Sequence, residues 1–519
     1  MDDIANGYEY LWVPAALVDS NVLKECSALY SEHYGTWSAA SPQSPGRPIH
    51  LSADRIRDWT RSGDTRLAQV RLAGKLIGYA IALQTKVPDW GWISWVTQLV
   101  VHKDHRNRGV GKRLLFSIWG FSTHFAWGII SANPYAIRAL EKATRRRCSP
   151  KRISQNHRKL HRLGAENIPY VKPDTQLEIT ADACRINTRF FVDHSTLLEK
   201  LERATSGETP WLLGTIDEGW EWFAFTFRDQ SQIGLTTNEV HEMLRASDDI
   251  TRQAYSRMLL NEDHKWAQHT EKEVSQVIDY CGLAAGQKVL DLGCGAGRHA
   301  LRLGRGGIDT IGVDYVAQFV ERATTTATEG GIGCTRFIQG DCREIDLHER
   351  FDAVLALYDV VGTYADDERN QEILANVRLH LKPGGRALIS VMNFAVTEKQ
   401  ATQRFSLAQE PDKLLELPAS QTMERTGNIF DPAYYVIENE TRVAYRKEQF
   451  ARGTGLPLEV IVRDRRYRQA EIEGMCRSAG LRVVWSRCVR SGAWENPLDE
   501  DDDNAKEILL LCEVDSGIR

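Results

Sequence analysis

Three glycines spaced two residues apart, directly after an apolar run, constrain the fold of this chain more than any other feature. The segment reads Val289-Leu-Asp-Leu-Gly-Cys-Gly-Ala-Gly297. An apolar run that ends in such a turn predicts a central parallel strand, because a Cβ in the turn would block both the bend and the approach of a ligand. The helix predicted from Arg298 points its positive N-terminus at that ligand. We therefore expect a doubly wound α/β unit with a ligand at this turn.

Carboxylates follow the turn at the ends of the next predicted strands. Asp314 ends a strand that begins at Thr310, and in doubly wound folds an acid at this place accepts hydrogen bonds from a ribose diol. Asp341 ends the strand after that. The G-x-G-x-G spacing, with Arg298 where a dinucleotide fold has its last glycine, favours S-adenosylmethionine over NAD. The further predicted strands of this unit are Phe351–Leu357, Arg386–Val391, Leu481–Val489 and Glu507–Val514.

These residues resemble the class I S-adenosylmethionine-dependent methyltransferases over roughly residues 266–514. The resemblance implies that Asp291 and the turn glycines hold the methionine part of the cofactor and that Asp314 binds its ribose. Leu357 would lie beside the sulfonium, and the segment that begins at His269 would close over the cofactor. A helix cap or a turn is the alternative role for each aspartate. The full set assigned to S-adenosylmethionine is His269, Asp291, Gly293, Cys294, Gly295, Gly297, Asp314, Tyr315, Asp341, Cys342 and Leu357.

The residues after the fourth strand limit the classes of methyl acceptor. They read Leu357-Tyr-Asp-Val-Val-Gly-Thr-Tyr364. Similar enzymes that methylate amino groups of nucleic acids have two prolines here, and this segment has none. The absence of a Pro-Cys dipeptide argues against a cytosine-C5 enzyme. We predict Tyr358 and Asp359 as catalytic residues, with Asp359 as a base. Tyr364 and Asn393 are predicted to contact the acceptor, and a turn-forming role is the alternative for each.

The N-terminal half has a second glycine-containing loop, Arg106-Asn-Arg-Gly-Val-Gly111, after a predicted strand at Trp92–His102. Such a loop at a helix start offers backbone N–H groups and a helix dipole to a pyrophosphate. It resembles motif A of the GNAT acetyltransferases, R-x-x-G-x-G, and the following strand at Trp127 and loop at Asn133 keep that family's order. The resemblance, over about residues 21–165, implies an acetyl-CoA site. Its residues would be Leu99, Val101, Arg106, Arg108, Gly109, Val110, Gly111, Lys112 and Asn133.

Two features of the GNAT pattern are missing. The helix after Asn133 has Leu140 where family members often have a tyrosine that protonates the leaving thiolate, so Tyr135 is the predicted acid. The strand segment Trp95-Val-Thr-Gln-Leu99 has no carboxylate to act as a base. Because positioning supplies much of the rate of an acyl transfer, two readings stay open. The domain is an active acyltransferase, or it only binds acyl-CoA or substrate.

A basic segment follows. Lys142–Arg162 contains nine lysines and arginines and no acid, although the whole chain has a net charge of −5. Such a density repels itself unless an anion compensates, which predicts contact with a nucleic-acid backbone, tRNA in the first place. Arg145, Arg146 and Arg147 would lead this contact. The alternatives are a solvated helix face and neutralisation by the acidic run Asp499–Asp503.

Length and composition bound the organisation of the chain. A length of 519 residues suggests roughly two to four domains. We predict a GNAT-like mixed α/β domain at 1–168, a β-rich intermediate segment and connector at 169–245, and a Rossmann-like, seven-stranded methyltransferase at 246–519 with a substrate-side insertion at 395–468. Further strands are predicted at Trp211–Ile216, Trp220–Phe227, Thr441–Phe450 and Leu458–Arg466.

Ten cysteines without a C-x-x-C spacing predict neither a zinc site nor a disulfide framework. They are typical of reduced thiols in a cytoplasm. We see no signal peptide at the N-terminus and no run of about 18 apolar residues. We therefore expect a cytoplasmic protein without metal or membrane contact. Two cofactor sites then predict methyl and acyl transfer to a shared amine-bearing acceptor. The alternative is tailoring of a small metabolite or a peptide natural product.

Overall fold

The computed structural model describes residues 7–61, 64–205, 210–234, 236–255, 267–451 and 457–514. The described chain divides into two compact units: the first is drawn from 1–250 and 453–460, and the second from 251–452 and 461–519. Residues 1–6, from which no signal peptide is expected, lie outside the described part. Within the described residues, each helix is too short or too polar to cross a bilayer.

The first unit is built on a mixed sheet with helices. Its strands are β1 (Tyr8–Pro14), β2 (Asp64–Leu72), β3 (Lys75–Val87), β4 (Gly91–Val101), β5 (Ala126–Ser131), β6 (Leu177–Ile179), β7 (Cys184–Phe190) and β8 (Gly219–Phe227). Its helices are α1 (Ser20–His33), α2 (Ala53–Trp59), α3 (Val110–Trp119), α4 (Pro134–Thr144), α5 (Pro150–Asn167), α6 (Leu197–Thr205) and α7 (Thr237–Ala254), the last of which runs on into the second unit. In the described residues the strand order is β1-β2-β3-β4-β5-β8-β7-β6. Only β4 and β5 pair in parallel among these strands.

The parallel pair β4–β5 opens part-way along its length. β4 has a β-bulge at Thr97, because the register against β3 shifts there. The pairing of β4 with β5 runs from Ile93 to Val96 and goes no further. Bulges bend a strand and end its pairing, often beside a functional site. The rest of β4, to Val101, therefore separates from Ser131 at the end of β5 and leaves a gap in the sheet.

The segment predicted as a separate β-rich intermediate continues the first sheet, because the free edge of β5 pairs with β8 and Ser131 lies opposite Trp222. The strand predicted at Trp211–Ile216 is wrong. Gly214 there has φ of +71°, and its carbonyl accepts the indole N–H of Trp211 at 2.8 Å and of Trp222 at 2.9 Å. The segment is consequently an irregular turn rather than a partner of β8.

A short piece of chain returns to the first unit after most of the second has been completed. Glu459 accepts a hydrogen bond from the backbone N–H of Phe121 at 2.8 Å through its carbonyl. The Ser122 hydroxyl donates to the Pro457 carbonyl at 2.7 Å. These bonds pair two hydrogen-bond donors just after α3, and residues 457–460 accordingly belong to the first unit.

The second unit has a doubly wound sheet and a smaller sheet. Its strands are β9 (Lys288–Leu292), β10 (Asp309–Asp314), β11 (Thr335–Gln339), β12 (Phe351–Ala356), β13 (Leu381–Met392), β14 (Ala419–Ser420), β15 (Tyr435–Glu438), β16 (Val443–Phe450), β17 (Leu458–Arg465), β18 (Leu481–Val489) and β19 (Glu507–Val514). The first three residues of β17 belong to the first unit. The strands of the smaller sheet come between β13 and β18 along the chain. The helices of the second unit are α8 (Thr270–Cys281), α9 (Arg298–Arg305), α10 (Ala317–Glu329), α11 (Asp367–His380), α12 (Phe394–Gln400), α13 (Thr422–Thr426) and α14 (Gln469–Ser478).

The predicted seven-stranded architecture is confirmed. Within the described residues the order is β11-β10-β9-β12-β13-β19-β18. The strands from β11 to β13 are parallel, and β19 runs antiparallel to both its neighbours. Apolar side chains from β9, β12 and β13 are buried on both faces, as expected for strands covered by helices on each side. The strands predicted in the insertion are confirmed as β16 and β17, and β16 also pairs with β14 and β15.

Candidate active sites

The glycine turn lies between β9 and α9, as predicted. Gly293, Gly295 and Gly297 all have positive φ. At Gly293 φ is +68°, and a Cβ would lie 2.4 Å from Val360 Cγ2, so only glycine fits there without strain. The loop that carries Val360 follows β12, the neighbour of β9. The two loops therefore meet at the carboxyl ends of the central strands, where ligands bind in open α/β sheets.

Asp291 tests whether S-adenosylmethionine fits this turn. The residue is 3% exposed, and its Oδ2 has no hydrogen-bond partner among the described residues. Burial raises the pKa of this carboxyl to about 7, although the nearby charge of Arg298 opposes it. A buried carboxyl oxygen without a partner is costly unless a donor or a cation reaches it. The ammonium of a methionine moiety is such a cation, so the turn fits the predicted cofactor.

Asp314 and Asp341 are bonded within the unit. Asp314 accepts the backbone N–H groups of Gly295 and Val316, both at 2.8 Å, and so ties the end of β10 to the glycine turn. Burial acts to raise the pKa of Asp341, but hydrogen bonds from Arg343 lower it below its usual value. The ribose and adenine roles of the two aspartates stay predictions. Four more assigned residues follow the carboxyl ends of β9 to β12: Cys294, Tyr315, Cys342 and Leu357.

A buried ionic network, which the sequence pattern did not indicate, connects α8, α9 and the loop after β12. Glu273 is 0% exposed. It accepts hydrogen bonds from Arg298 at 2.6 Å, from His299 at 3.0 Å and from the Tyr358 hydroxyl. Burial acts to raise the pKa of Glu273, but the bond from His299 and the charge of Arg298 outweigh it and lower the pKa to about 2. Glu273 is therefore a buried carboxylate ion that fixes Tyr358 in place.

The two predicted catalytic residues share a strained backbone. Tyr358 and Asp359 have φ of 60° and 67°, and non-glycine residues in this region cluster at functional sites. Asp359 Oδ1 is buried without a partner among the described residues. Burial, and then the charge of Asp464, raises the pKa of Asp359 well above its usual value, although Arg466 opposes this. The structure thus brings Asp359 to residues at the end of β17, which leads out of the insertion.

The other predicted residues of this site have mixed outcomes. Asn393 is not an acceptor contact but a fully buried helix cap. Its side-chain amide donates to the carbonyls of Glu500 and Ala505, both at 2.7 Å. Its side-chain oxygen accepts the backbone N–H of Ala395 in the first turn of α12. Tyr364 lies about 5 Å from three guanidinium groups and is half-buried, so its acceptor role stays a prediction. His269 is the N-cap of α8, and its ring packs on Gly492 in the loop between β18 and β19.

The loop predicted to bind pyrophosphate in the first unit has a suitable geometry. Gly109, with φ of +74°, is the N-cap of α3, and the backbone N–H groups that follow it face the carboxyl end of β4 without a side-chain cap. Arg106 is bonded to the Val101 carbonyl at 3.0 Å. In the gap between β4 and β5, Gln98 is 4% exposed, and its Nε2 has no partner among the described residues. A gap, a helix start and an unpaired donor together fit an acyl-CoA.

The other site residues predicted in the first unit, the acid Tyr135 included, stay predictions, and Asn133 and Lys112 have partners within the unit. Asn133 caps α4 by accepting the N–H of Tyr135 at 3.0 Å. Tyr135 is half-buried in that first turn. Lys112 forms an ion pair with Glu242 of α7. The pair lines a cavity that Arg145 also lines.

The three arginines predicted to lead a nucleic-acid contact are bonded inside the first unit. Arg145 is 6% exposed and donates to Gln232 at 2.6 Å. Arg146 lies 5.2 Å from the ring centre of Trp127, and Arg147 pairs with the buried Glu141 at 3.2 Å. The nucleic-acid contact stays a prediction, and it now depends on the other lysines and arginines of the basic segment.

Comparison with known proteins agrees with this geometry. The acetyltransferase (GNAT) family matches residues 27–144, and a methyltransferase domain matches residues 289–385. The chain contains a GNAT acetyltransferase domain and a class I methyltransferase domain. The GNAT domain has the mixed sheet with the gap beside α3, and the methyltransferase domain has the seven-stranded sheet with the glycine turn. The pairing of domains implies two cofactors, S-adenosylmethionine and an acyl-CoA.

Individual relatives cover parts of the chain. Ubiquinone biosynthesis O-methyltransferase of Rickettsia conorii is 31% identical over 106 residues, which are 20% of this chain and 35% of that protein. Cypemycin N-terminal methyltransferase of a Streptomyces species is 24% identical over 199 residues, 38% of this chain and 74% of that protein. Among solved structures, the CcbJ methyltransferase from Streptomyces caelestis is 17% identical, with 47% of this chain and 88% of that chain covered and a TM-score of 0.35.

Proposed function

We propose that the methyltransferase domain methylates an amine and that the GNAT domain acylates an amine of the same acceptor. The observation that carries this proposal is the buried, unpaired Oδ1 of Asp359 at the end of β12. A carboxyl in that state is stabilised by an ammonium and disfavoured by a neutral, apolar acceptor. The relative named for methylation of the cypemycin N-terminus supports an amine as the acceptor.

Within the methyltransferase domain, the protein's own part is to orient the acceptor and remove a proton. S-adenosylmethionine supplies a methyl group on a positively charged sulfur, which the acceptor displaces in line. Asp291 would hold the ammonium of the methionine part through Oδ2. Tyr358, fixed by Glu273 and 3.1 Å from the Ser491 hydroxyl, would border the reacting atoms. Asp359 takes the proton that an acceptor ammonium must lose, and burial makes it a stronger base than an exposed aspartate.

The test begins with isothermal titration of the full chain with S-adenosylmethionine and with acetyl-CoA, each alone. Transfer of labelled methyl and acetyl groups to a set of amines then measures activity. Asp359→Asn should lower methyl transfer by about 100-fold, the usual cost of removing an acid–base group. The exposed Asp501→Asn is the matched control and should keep full activity. Equal methyl transfer by Asp359→Asn and the control would contradict the assigned role, and failure to bind either cofactor would contradict the function.

A nucleic-acid acceptor, tRNA in the first place, is a second candidate because the basic helix α5 keeps exposed cations. Lys151, Arg158 and Arg162 are exposed on it. Changing all three to glutamate should weaken tRNA binding and reduce its salt dependence, since each phosphate contact releases a counterion. Binding that is unchanged between about 50 and about 200 mM salt, or by the triple change, would leave a small metabolite or a peptide as the acceptor.

A further inference from the structure

Glu221 is a buried carboxyl at the edge of the gap in the GNAT sheet. It is 5% exposed and lies on β8, next to Trp222, which pairs with Ser131 at the open end of β5. The Thr188 hydroxyl donates to its Oε2 at 2.7 Å. Neither the methyl-transfer mechanism nor the acyl-CoA loop uses this group. A buried acid in an aromatic strand has a cost in stability, which calls for a functional reason.

Three tyrosines lie near the Glu221 carboxyl. Burial, and then the charge of Glu221, raises the pKa of Tyr34 and of Tyr170. Tyr30 stacks on Tyr34 with ring centres 4.2 Å apart. Tyr170 lies with its hydroxyl 3.5 Å from the carbonyl of Thr97, the bulged residue of β4. The carboxyl thus lies among buried aromatic side chains near the gap, and aromatic faces beside a carboxylate attract cations.

The position that a carboxylate would occupy on β4 itself is taken by Gln98. Its Oε1 accepts the Tyr79 hydroxyl at 2.7 Å, and its Nε2 is left for a ligand oxygen. A glutamine cannot take up a proton at neutral pH. The nearby carboxyl that can act as a base is Glu221 on β8, the strand that pairs with β5 on the other side of the gap.

We propose that Glu221 binds the ammonium group of the acyl acceptor and takes its proton. This inference rests on the proposed acyl transfer by the GNAT domain, and it gives that site a primary-amine acceptor. The acceptor ammonium loses one proton to the Glu221 carboxylate, and the freed nitrogen lone pair forms a C–N bond with the acyl carbon. The C–S bond breaks, the sulfur keeps the electron pair, and the second proton of the nitrogen goes to the thiolate. Glu221 then returns its proton to water.

The titration of Glu221 sets a pH dependence for acyl transfer. Burial raises the pKa of this carboxyl to about 7, and the bonds from Thr188 and the Ala132 backbone oppose it only in part. The titratable groups that face it are the phenols of Tyr30, Tyr34 and Tyr170. Since the base must be ionised, acyl transfer should rise as the pH increases through about 7 and then level off.

The first experiment measures ammonium binding without turnover. Thermal unfolding of the full chain with coenzyme A is followed at pH 8 with a polyamine, an amino sugar and an amino-acid amide, each beside its hydroxyl analogue. At least one amine should raise the melting temperature of the wild type, and its analogue should not. Glu221→Gln should lose this shift, and Glu166→Gln, an exposed acid on α5, should keep it. An equal shift in Glu221→Gln, or no shift by any amine, overturns the inference.

The second experiment measures turnover by release of the coenzyme A thiol across pH 6 to 9. Glu221→Gln should lower kcat by about 100-fold and lose the rise near pH 7, while acetyl-CoA affinity is unchanged. Glu221→Asp, which keeps the charge, should restore part of the rate. A wild type that binds acetyl-CoA and amines but releases no thiol contradicts the proposed function and leaves the ammonium site standing. A variant as active as the wild type contradicts Glu221 as the base.

Discussion

Substitution of Asp291 by asparagine should stabilise the methyltransferase domain and at the same time lower its affinity for S-adenosylmethionine. Burial raises the pKa of Asp291 from 3.8 to about 7. Keeping the carboxyl ionised in the folded domain therefore costs about 4 kcal/mol. With 3% exposure the side chain has little solvent to screen it. Because the folded-state pKa is raised, the folded domain binds the proton more tightly. The corresponding stability is present below about pH 4 and is lost as the pH rises to about 7.

Asparagine stays neutral, so the cofactor-free Asp291→Asn protein should melt roughly 10 °C higher than the wild type at pH 8, and the difference should shrink towards pH 5. Its affinity for S-adenosylmethionine should fall about 10- to 100-fold, the usual value of a hydrogen bond to a charged group. Calorimetric melting without cofactor and titration with cofactor measure the two effects, with Asp501→Asn as the exposed control. A variant that melts no higher than the wild type at pH 8, or that binds the cofactor equally well, would refute the reasoning.

Three further changes test other parts of the two sites. Glu273→Gln removes the negative charge beside the half-buried Arg298 and should cost about 2 kcal/mol of unfolding free energy, measured in denaturant. An unchanged midpoint would show that the network carries no energy. Tyr358→Phe removes one bond to Glu273 and should lower the kcat of methyl transfer several-fold while titration gives an unchanged cofactor affinity. Gly109→Ala puts a side chain at φ of +74°, which costs about 1–2 kcal/mol of backbone strain. The variant should bind acetyl-CoA about tenfold more weakly and should bind S-adenosylmethionine with unchanged affinity.

Much of both sites follows from local pattern. The glycine turn after β9 and the aspartates at the ends of β10 and β11 are predictable, because alternation of apolar runs and turns fixes which residues lie at the carboxyl edge of a parallel sheet. The Arg106–Gly111 loop is predictable for the same reason. Each of these features depends on residues a few positions apart, so the sequence contains the whole signal.

The rest depends on pairing between distant segments. Glu221 lies near the gap between β4 and β5 only because β8 pairs with β5, and no local pattern gives that register. One signal was present, a single acid in the aromatic run Trp220–Phe227. The strand predicted at Trp211–Ile216 is wrong because Gly214 has a positive φ and its carbonyl accepts two indole N–H groups in place of a strand partner. Asn393 was misassigned because its partners, at 500 and 505, lie far along the chain.

The return of residues 457–460 to the first unit restricts how the gene could be divided. A fragment that ends at residue 168 would lack β8 and leave the edge of β5 free to pair with other chains. A fragment that ends at 250 would contain β8 but would lose the acceptors of Phe121 and Ser122, which lie within the insertion at 457 and 459. A contiguous N-terminal fragment is therefore not an intact copy of the first unit. Truncation before residue 457 should therefore damage the first unit as well, and a lineage that needs only the first domain would have to inactivate the second by point substitution.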